Sequence, residues 1–179
     1  SKNSDSIRQT NEYHKVAENY QRLCVGYGTS PGTGEMRNSR LMRVIYNPVF
    51  KENIFDLHDV YRRMIVFRNR LYGVKDNFCL NEPEGGVFSC SRIHQFPKGG
   101  GFLSLHKDKD GIRTSQNADL KTFMHPLLIV DEKGKDYKTG GGIIRYKDEI
   151  IFFEDHLKPG DIAIYNGRSE HGVFNIDQE

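Results

Sequence analysis

A glycine-rich turn in this chain runs directly into two residues able to hold a metal ion, Gly99-Gly100-Gly101-Phe102-Leu103-Ser104-Leu105-His106-Lys107-Asp108. In a β-strand, side chains at i and i+2 point to the same face, so His106 and Asp108 can grip one ion while Lys107 points away. A second histidine, His171, stands 65 residues after the first, behind Pro159-Gly160-Asp161-Ile162-Ala163-Ile164-Tyr165 and ahead of Gly172-Val173. Two imidazoles and one carboxylate hold Fe(II) on one face and leave the opposite positions open for substrate and oxygen. The carboxylate offsets part of the ion's charge, and the neutral imidazoles keep the metal redox-active. A gap of that length lets several strands fold between the ligands, so the pattern predicts a site closed by tertiary structure. The reading is an iron-dependent oxygenase with His106, Asp108 and His171 as metal ligands and catalytic residues.

His-x-Asp alone occurs often by chance, and the order of the surrounding elements gives it weight. The stretch Arg92-Ile93-His94-Gln95-Phe96-Pro97-Lys98 leads into the glycine turn and the metal strand. Gly140-Gly141-Gly142-Ile143-Ile144, then Leu157-Lys158-Pro159-Gly160-Asp161, then Gly167-Arg168-Ser169-Glu170-His171-Gly172-Val173 follow in turn. Over residues 86–176 this series resembles the Fe(II)/2-oxoglutarate-dependent dioxygenases, the double-stranded β-helix oxygenases. The resemblance implies a mainly β fold, a double-stranded β-helix (jelly roll, cupin-like) with bracing N-terminal helices packed on its larger sheet. It also implies Fe(II), 2-oxoglutarate as co-substrate and O2. The expected reaction is oxidation, chiefly hydroxylation, of an unactivated C–H bond with release of succinate and CO2. Because Asp108 is present, the halogenating variant of the family is disfavoured.

The chain departs from that family in one place. Such enzymes bind the distal carboxylate of 2-oxoglutarate with a basic residue roughly ten positions after the last histidine, whereas eight residues follow His171 and the last six carry no Lys or Arg. Two expectations follow: the chain stops short of its natural C-terminal end, or an internal residue takes the task. The internal candidates are Arg92 and Arg145, with Gln95 as a hydrogen-bond donor.

Apolar residues near helical spacing over 5–23 predict one helix, and Ile54, Leu57, Tyr61, Met64, Phe67 and Leu71 predict a second that ends near Gly73. From residue 86 onward the pattern becomes short β-rich runs over 87–96, 102–106, 123–130, 142–146, 150–154, 161–165 and 172–176, separated by turn residues. The organisation predicted is one catalytic domain over 1–179, with a helical part at 1–80 and a β core at 86–179. The loop over 26–34 lacks the Gly-Lys-Ser/Thr ending of a phosphate-cradling loop.

Composition narrows the classes. With 26 basic against 24 acidic residues, the net charge of +2 makes no case for nucleic acid, which calls for a clustered basic face. No apolar run approaches a membrane span. The three cysteines, Cys24, Cys79 and Cys90, have no paired spacing, which fits a reducing, cytoplasmic setting. His14, His58, His94, His125 and His156 read as structural or surface residues, with His94 the substitute ligand should His106 fail. The polar segment 107–121, directly after the metal strand, is a candidate lid. A compact chain favours a small-molecule substrate such as an amino acid or natural-product intermediate. Two rivals stand beside this reading: a cupin-like metalloenzyme that does not use 2-oxoglutarate, and a non-catalytic jelly-roll binding module.

Overall fold

The computed structural model describes residues 2–4, 7–9, 18–26, 28–29, 38–82, 87–108 and 124–178. The fold is mainly β. Its strands are β1 (Lys2–Ser4), β2 (Ile7–Gln9), β3 (Tyr20–Cys24), β4 (Gly28–Thr29), β5 (Asn38–Arg40), β6 (Met42–Tyr46), β7 (Val87–Ser89), β8 (Arg92–Gln95), β9 (Gly101–His106), β10 (Met124–Ile129), β11 (Gly141–Tyr146), β12 (Glu149–Phe152), β13 (Ile162–Asn166) and β14 (His171–Ile176). One sheet runs β13-β10-β1-β8-β6-β3, a second runs β12-β11-β14-β9-β5-β4, and β2 pairs with β7 in a separate ribbon. Neighbours pair antiparallel throughout.

Strand alternation decides what each sheet buries. On β6, Met42, Val44 and Tyr46 are buried and form a cluster with Phe88 and Cys90, against which Phe96 and Leu103 pack. Leu103 belongs to the second sheet, and it also packs against Tyr137, Val173 and Ile176. The inner faces of the two sheets therefore meet. Register carries the same face across the first sheet: Tyr46 lies opposite Arg92, Val44 opposite His94, and His125 opposite Tyr165.

The outer face of β8 is covered by helix α1 (His58–Tyr72). Its buried positions His58, Tyr61, Met64, Ile65, Arg68 and Asn69 recur at helical spacing, and Tyr61 and Ile65 pack with Val49, Leu57, Leu80 and Ile93. Asn53 accepts the Leu57 N–H at 3.1 Å before the first turn. Gly73, at φ 67°, ends the helix in the left-handed conformation. At that end Tyr72 donates its hydroxyl to the Met124 carbonyl at 2.9 Å, tying the helix to β10.

The second predicted helix thus forms, whereas the described residues of the first are not helical. Within 5–23 the structure has strands β2 and β3, and residues 10–17 lie outside the described residues. The expectation of a helical part over 1–80 and of several helices on the larger sheet reduces to α1, the one α-helix among the described residues. Tyr20, Arg22 and Cys24 alternate with more exposed neighbours and pair with Tyr46, Val44 and Met42, so pairing with β6 overrides a weak helical spacing. The run expected over 87–96 is two strands, broken at the buried Cys90 and Ser91, because β7 pairs with β2 and β8 with β1 and β6. The run expected over 150–154 ends early, in a 3-10 turn at Phe153–His156. Most of the candidate lid, and most of the loop over 26–34, lie outside the described residues. No helix among the described residues is long and apolar enough to cross a membrane, and Cys24, Cys79 and Cys90 form no disulfide.

Because Ile65 is fully buried beneath α1, replacing it with Ala is expected to cost about 2 to 5 kcal/mol in denaturant unfolding. Phe67→Ala, on the exposed face of the same helix, should stay within about 0.5 kcal/mol of the parent. Equal losses would mean that α1 is not docked by the face described.

Candidate metal centre

His106 is the last residue of β9, and His171 is the first of β14. Antiparallel register sets them directly opposite each other. Their ring centroids are 4.4 Å apart. The approach of these strands depends on Gly172, where a Cβ would lie 2.6 Å from the Leu103 carbonyl oxygen. Asp108 follows β9 by two residues and is fixed by its own N–H, which donates to the Gly167 carbonyl at 2.7 Å. That bond draws the end of β9 to the turn just before β14.

The three side chains form one group, with a donor atom from each within 4.8 Å of the others. His106 Nε2 is 3.8 Å from Asp108 Oδ1, and His171 Nε2 is 3.5 Å from Asp108 Oδ2. All three are buried, at 6% exposure for His106 and 7% for Asp108 and His171. Each histidine sets its Nδ1 against a backbone carbonyl, His106 at 2.7 Å from Ser104 and His171 at 2.8 Å from Ser169. Nδ1–H therefore donates there, leaving both Nε2 atoms as lone-pair donors aimed at the same space. Two nitrogens and one carboxylate oxygen on one side of an ion match the open two-histidine, one-carboxylate set for Fe(II), so these residues fit such a metal.

Electrostatics favour the same assignment. Burial alone would raise the Asp108 carboxyl, but the imidazoles of His125 and His171 outweigh it and hold the group well below the usual carboxylate range. Because His171 Nδ1–H is engaged with Ser169, its share needs a second proton on Nε2, which a bound metal would displace. Asp108 is thus an anion, as a ligand must be. His125, on β10 of the opposite sheet, places Nε2 3.1 Å from Asp108 Oδ2 and is 2% exposed. The Tyr165 ring lies 4.7 Å from that of His171 and 5.7 Å from that of His125, filling the angle between them.

The sequence candidates separate by strand face. Arg92 shares the inner face of its sheet with Tyr46. Burial would lower its guanidinium, yet Cys90, Tyr46, Asp108 and Tyr165 together raise it above its ordinary value, so a cation is held beside the cluster. Gln95 sits three residues on, with the opposite parity, and lines a cavity of about 220 Å³ bounded by Phe96, Ile129, Glu154 and Ile176. It is not brought to the cluster. Nor is Arg145: its neighbour Ile144 is the one that lies opposite His171, so Arg145 points to the other face of β11, where it pairs with Glu170 at 3.1 Å. His94 lines the same cavity as Gln95, and His156 is exposed, so neither joins the ligand group.

Sequence reasoning missed His125 and Tyr165. Alternation with Leu127 and Ile129 gives the inward face of His125, but not its contact with Asp108 across the sheets. Comparison with protein-family models, with curated proteins and with solved structures finds no match to this chain.

A buried three-donor site should convert metal binding into folding stability. At a free Co(II) or Fe(II) concentration about 100 times Kd, binding contributes about 2.7 kcal/mol. For a chain of this size that raises Tm by about 5 to 10 °C in a scanning measurement under argon. His106→Ala, Asp108→Ala and His171→Ala should each abolish the rise, and His156→Ala should keep it. A rise that survives Asp108→Ala would place the ion elsewhere.

Proposed function

We propose that this protein is an Fe(II)- and 2-oxoglutarate-dependent oxygenase that hydroxylates a C–H bond of a small molecule, such as an amino acid or natural-product intermediate. The observation that carries the reading is the convergence of His106, Asp108 and His171 on one buried point between two facing antiparallel sheets. Ligands offered at strand ends from one sheet, with a second sheet facing them, fit a double-stranded β-helix, and we read the fold in that way. The overall reaction consumes O2, 2-oxoglutarate and R–H and gives R–OH, succinate and CO2.

His106 and His171 would hold the ion through Nε2, and Asp108 through a carboxylate oxygen. When bound, Fe(II) supplies the redox chemistry that couples oxidation of the 2-oxo acid to that of the substrate. The chain's own residues do the rest. The backbone carbonyls of Ser104 and Ser169 fix the two imidazoles by accepting from Nδ1–H, so neither ring has to turn when the ion arrives. Arg92 is the cation suited to the distal carboxylate of 2-oxoglutarate, because it lies on the inner face and stays charged. A guanidinium can meet a carboxylate with two parallel N–H bonds.

The test is succinate release by the Fe(II)-loaded protein, supplied with 2-oxoglutarate and O2, against a panel of small molecules. Arg92→Ala is expected to cost about 2 to 5 kcal/mol in co-substrate binding, read as a raised apparent KM for 2-oxoglutarate. Arg145→Ala should leave that constant unchanged. Metal binding without succinate from any candidate, in a protein that retains Arg92, would sink the 2-oxoglutarate reading while leaving the metal centre standing.

A further inference from the structure

His125 belongs to neither the ligand group nor the co-substrate anchor, yet it is nearly inaccessible and reaches the cluster from the opposite sheet. The two oxygens of Asp108 are in different surroundings. Oδ1 faces His106 at 3.8 Å, whereas Oδ2 has His125 Nε2 at 3.1 Å and His171 Nε2 at 3.5 Å. His125 falls outside the three-donor group, and its ring centroid is 6.3 Å from that of His171, compared with 4.4 Å between the ligand histidines. Register sets it opposite Tyr165, whose ring lies 5.7 Å from its own and 4.7 Å from that of His171.

A carboxylate that is free to turn about its last bond can chelate a metal with both oxygens, which would fill a position the open site keeps for substrate or oxygen. We propose that His125 is a positioning residue that engages Oδ2 of Asp108 across the gap between the sheets and leaves Oδ1 as the single oxygen offered to the metal. Partners of metal-bound carboxylates are part of such sites, since they orient the ligand and tune its affinity. The inference rests on reading His106, Asp108 and His171 as a metal centre. It assigns a role to a residue outside that set.

The experiment uses the full chain with Co(II) as probe. His125→Leu removes the N–H, and His125→Gln restores an amide donor on a side chain of similar reach. Affinity is measured by competition with a chelator, the number of imidazole ligands by X-ray absorption, and folding by circular dichroism. The expected result is Co(II) binding about 10 to 100 times weaker in His125→Leu, with recovery of most of that loss in His125→Gln. The count should stay at two imidazoles in every variant. If His125→Leu does not fold, His125→Met against His125→Gln makes the same comparison. Parent affinity in His125→Leu, or a folded Gln variant no better than the apolar one, would overturn the proposal. Loss of one imidazole from the parent count would make His125 a ligand and overturn it as well. If the parent protein itself binds no Co(II), and Asp108→Ala changes nothing, the metal centre falls and the proposal with it.

Discussion

The arrangement of the His106, Asp108 and His171 cluster follows from the cost of burying one carboxylate. Removing an ion of that size from water costs several kcal/mol even after relaxation, so Asp108 can stay where it is only if neighbouring groups compensate. The compensation comes from both sheets: His171 from one, His125 and Arg92 from the other. The cluster is therefore a constraint on how the two sheets face each other, as much as a feature placed upon them. Sliding either sheet by one residue would turn a buried partner outward and leave the anion unpaired.

The same parity explains why similar residues have different fates. Arg92 and Arg145 are both arginines on β-strands, yet one faces the cluster and the other forms an ion pair with Glu170 on the outer side of its sheet. No property of the guanidinium distinguishes them. The difference lies in whether each stands an even or an odd number of residues from a position whose face is known. Tyr46 fixes the face of Arg92, and His171, through Ile144, fixes that of Arg145.

Much of the site could be read from the chain, since ligand chemistry restricts residue types and i, i+2 spacing survives in any strand end. Helix α1 was legible for a related reason: of the residues that marked it, Tyr61 and Met64 are buried and Gly73 marks the stop, although Phe67 and Leu71 of the same expected stripe are exposed. The strands near the N-terminus were not, because three to five residues match either period and the choice belongs to the partner strand. His125 was hidden for a different reason. Its contact with Asp108 joins residues in opposite sheets, and no local pattern encodes that distance. Arg92 and Gln95 stand three residues apart, so only one of them could face the cluster from one strand, and which one depends on how β8 pairs with β6.

The pairing of His106 with His171 also bears on how the chain reaches this state. These residues meet only after a loop of 65 residues has closed, and closure entropy must be met before the contact returns anything. Non-local antiparallel pairing of this kind slows folding. The short piece that carries His106 and Asp108 offers only part of the donor set before β14 arrives, so it cannot act as an early template. Assembly of the cluster and completion of the second sheet are then one kinetic event, and a donor group competent to hold an ion reports that the last strand has docked.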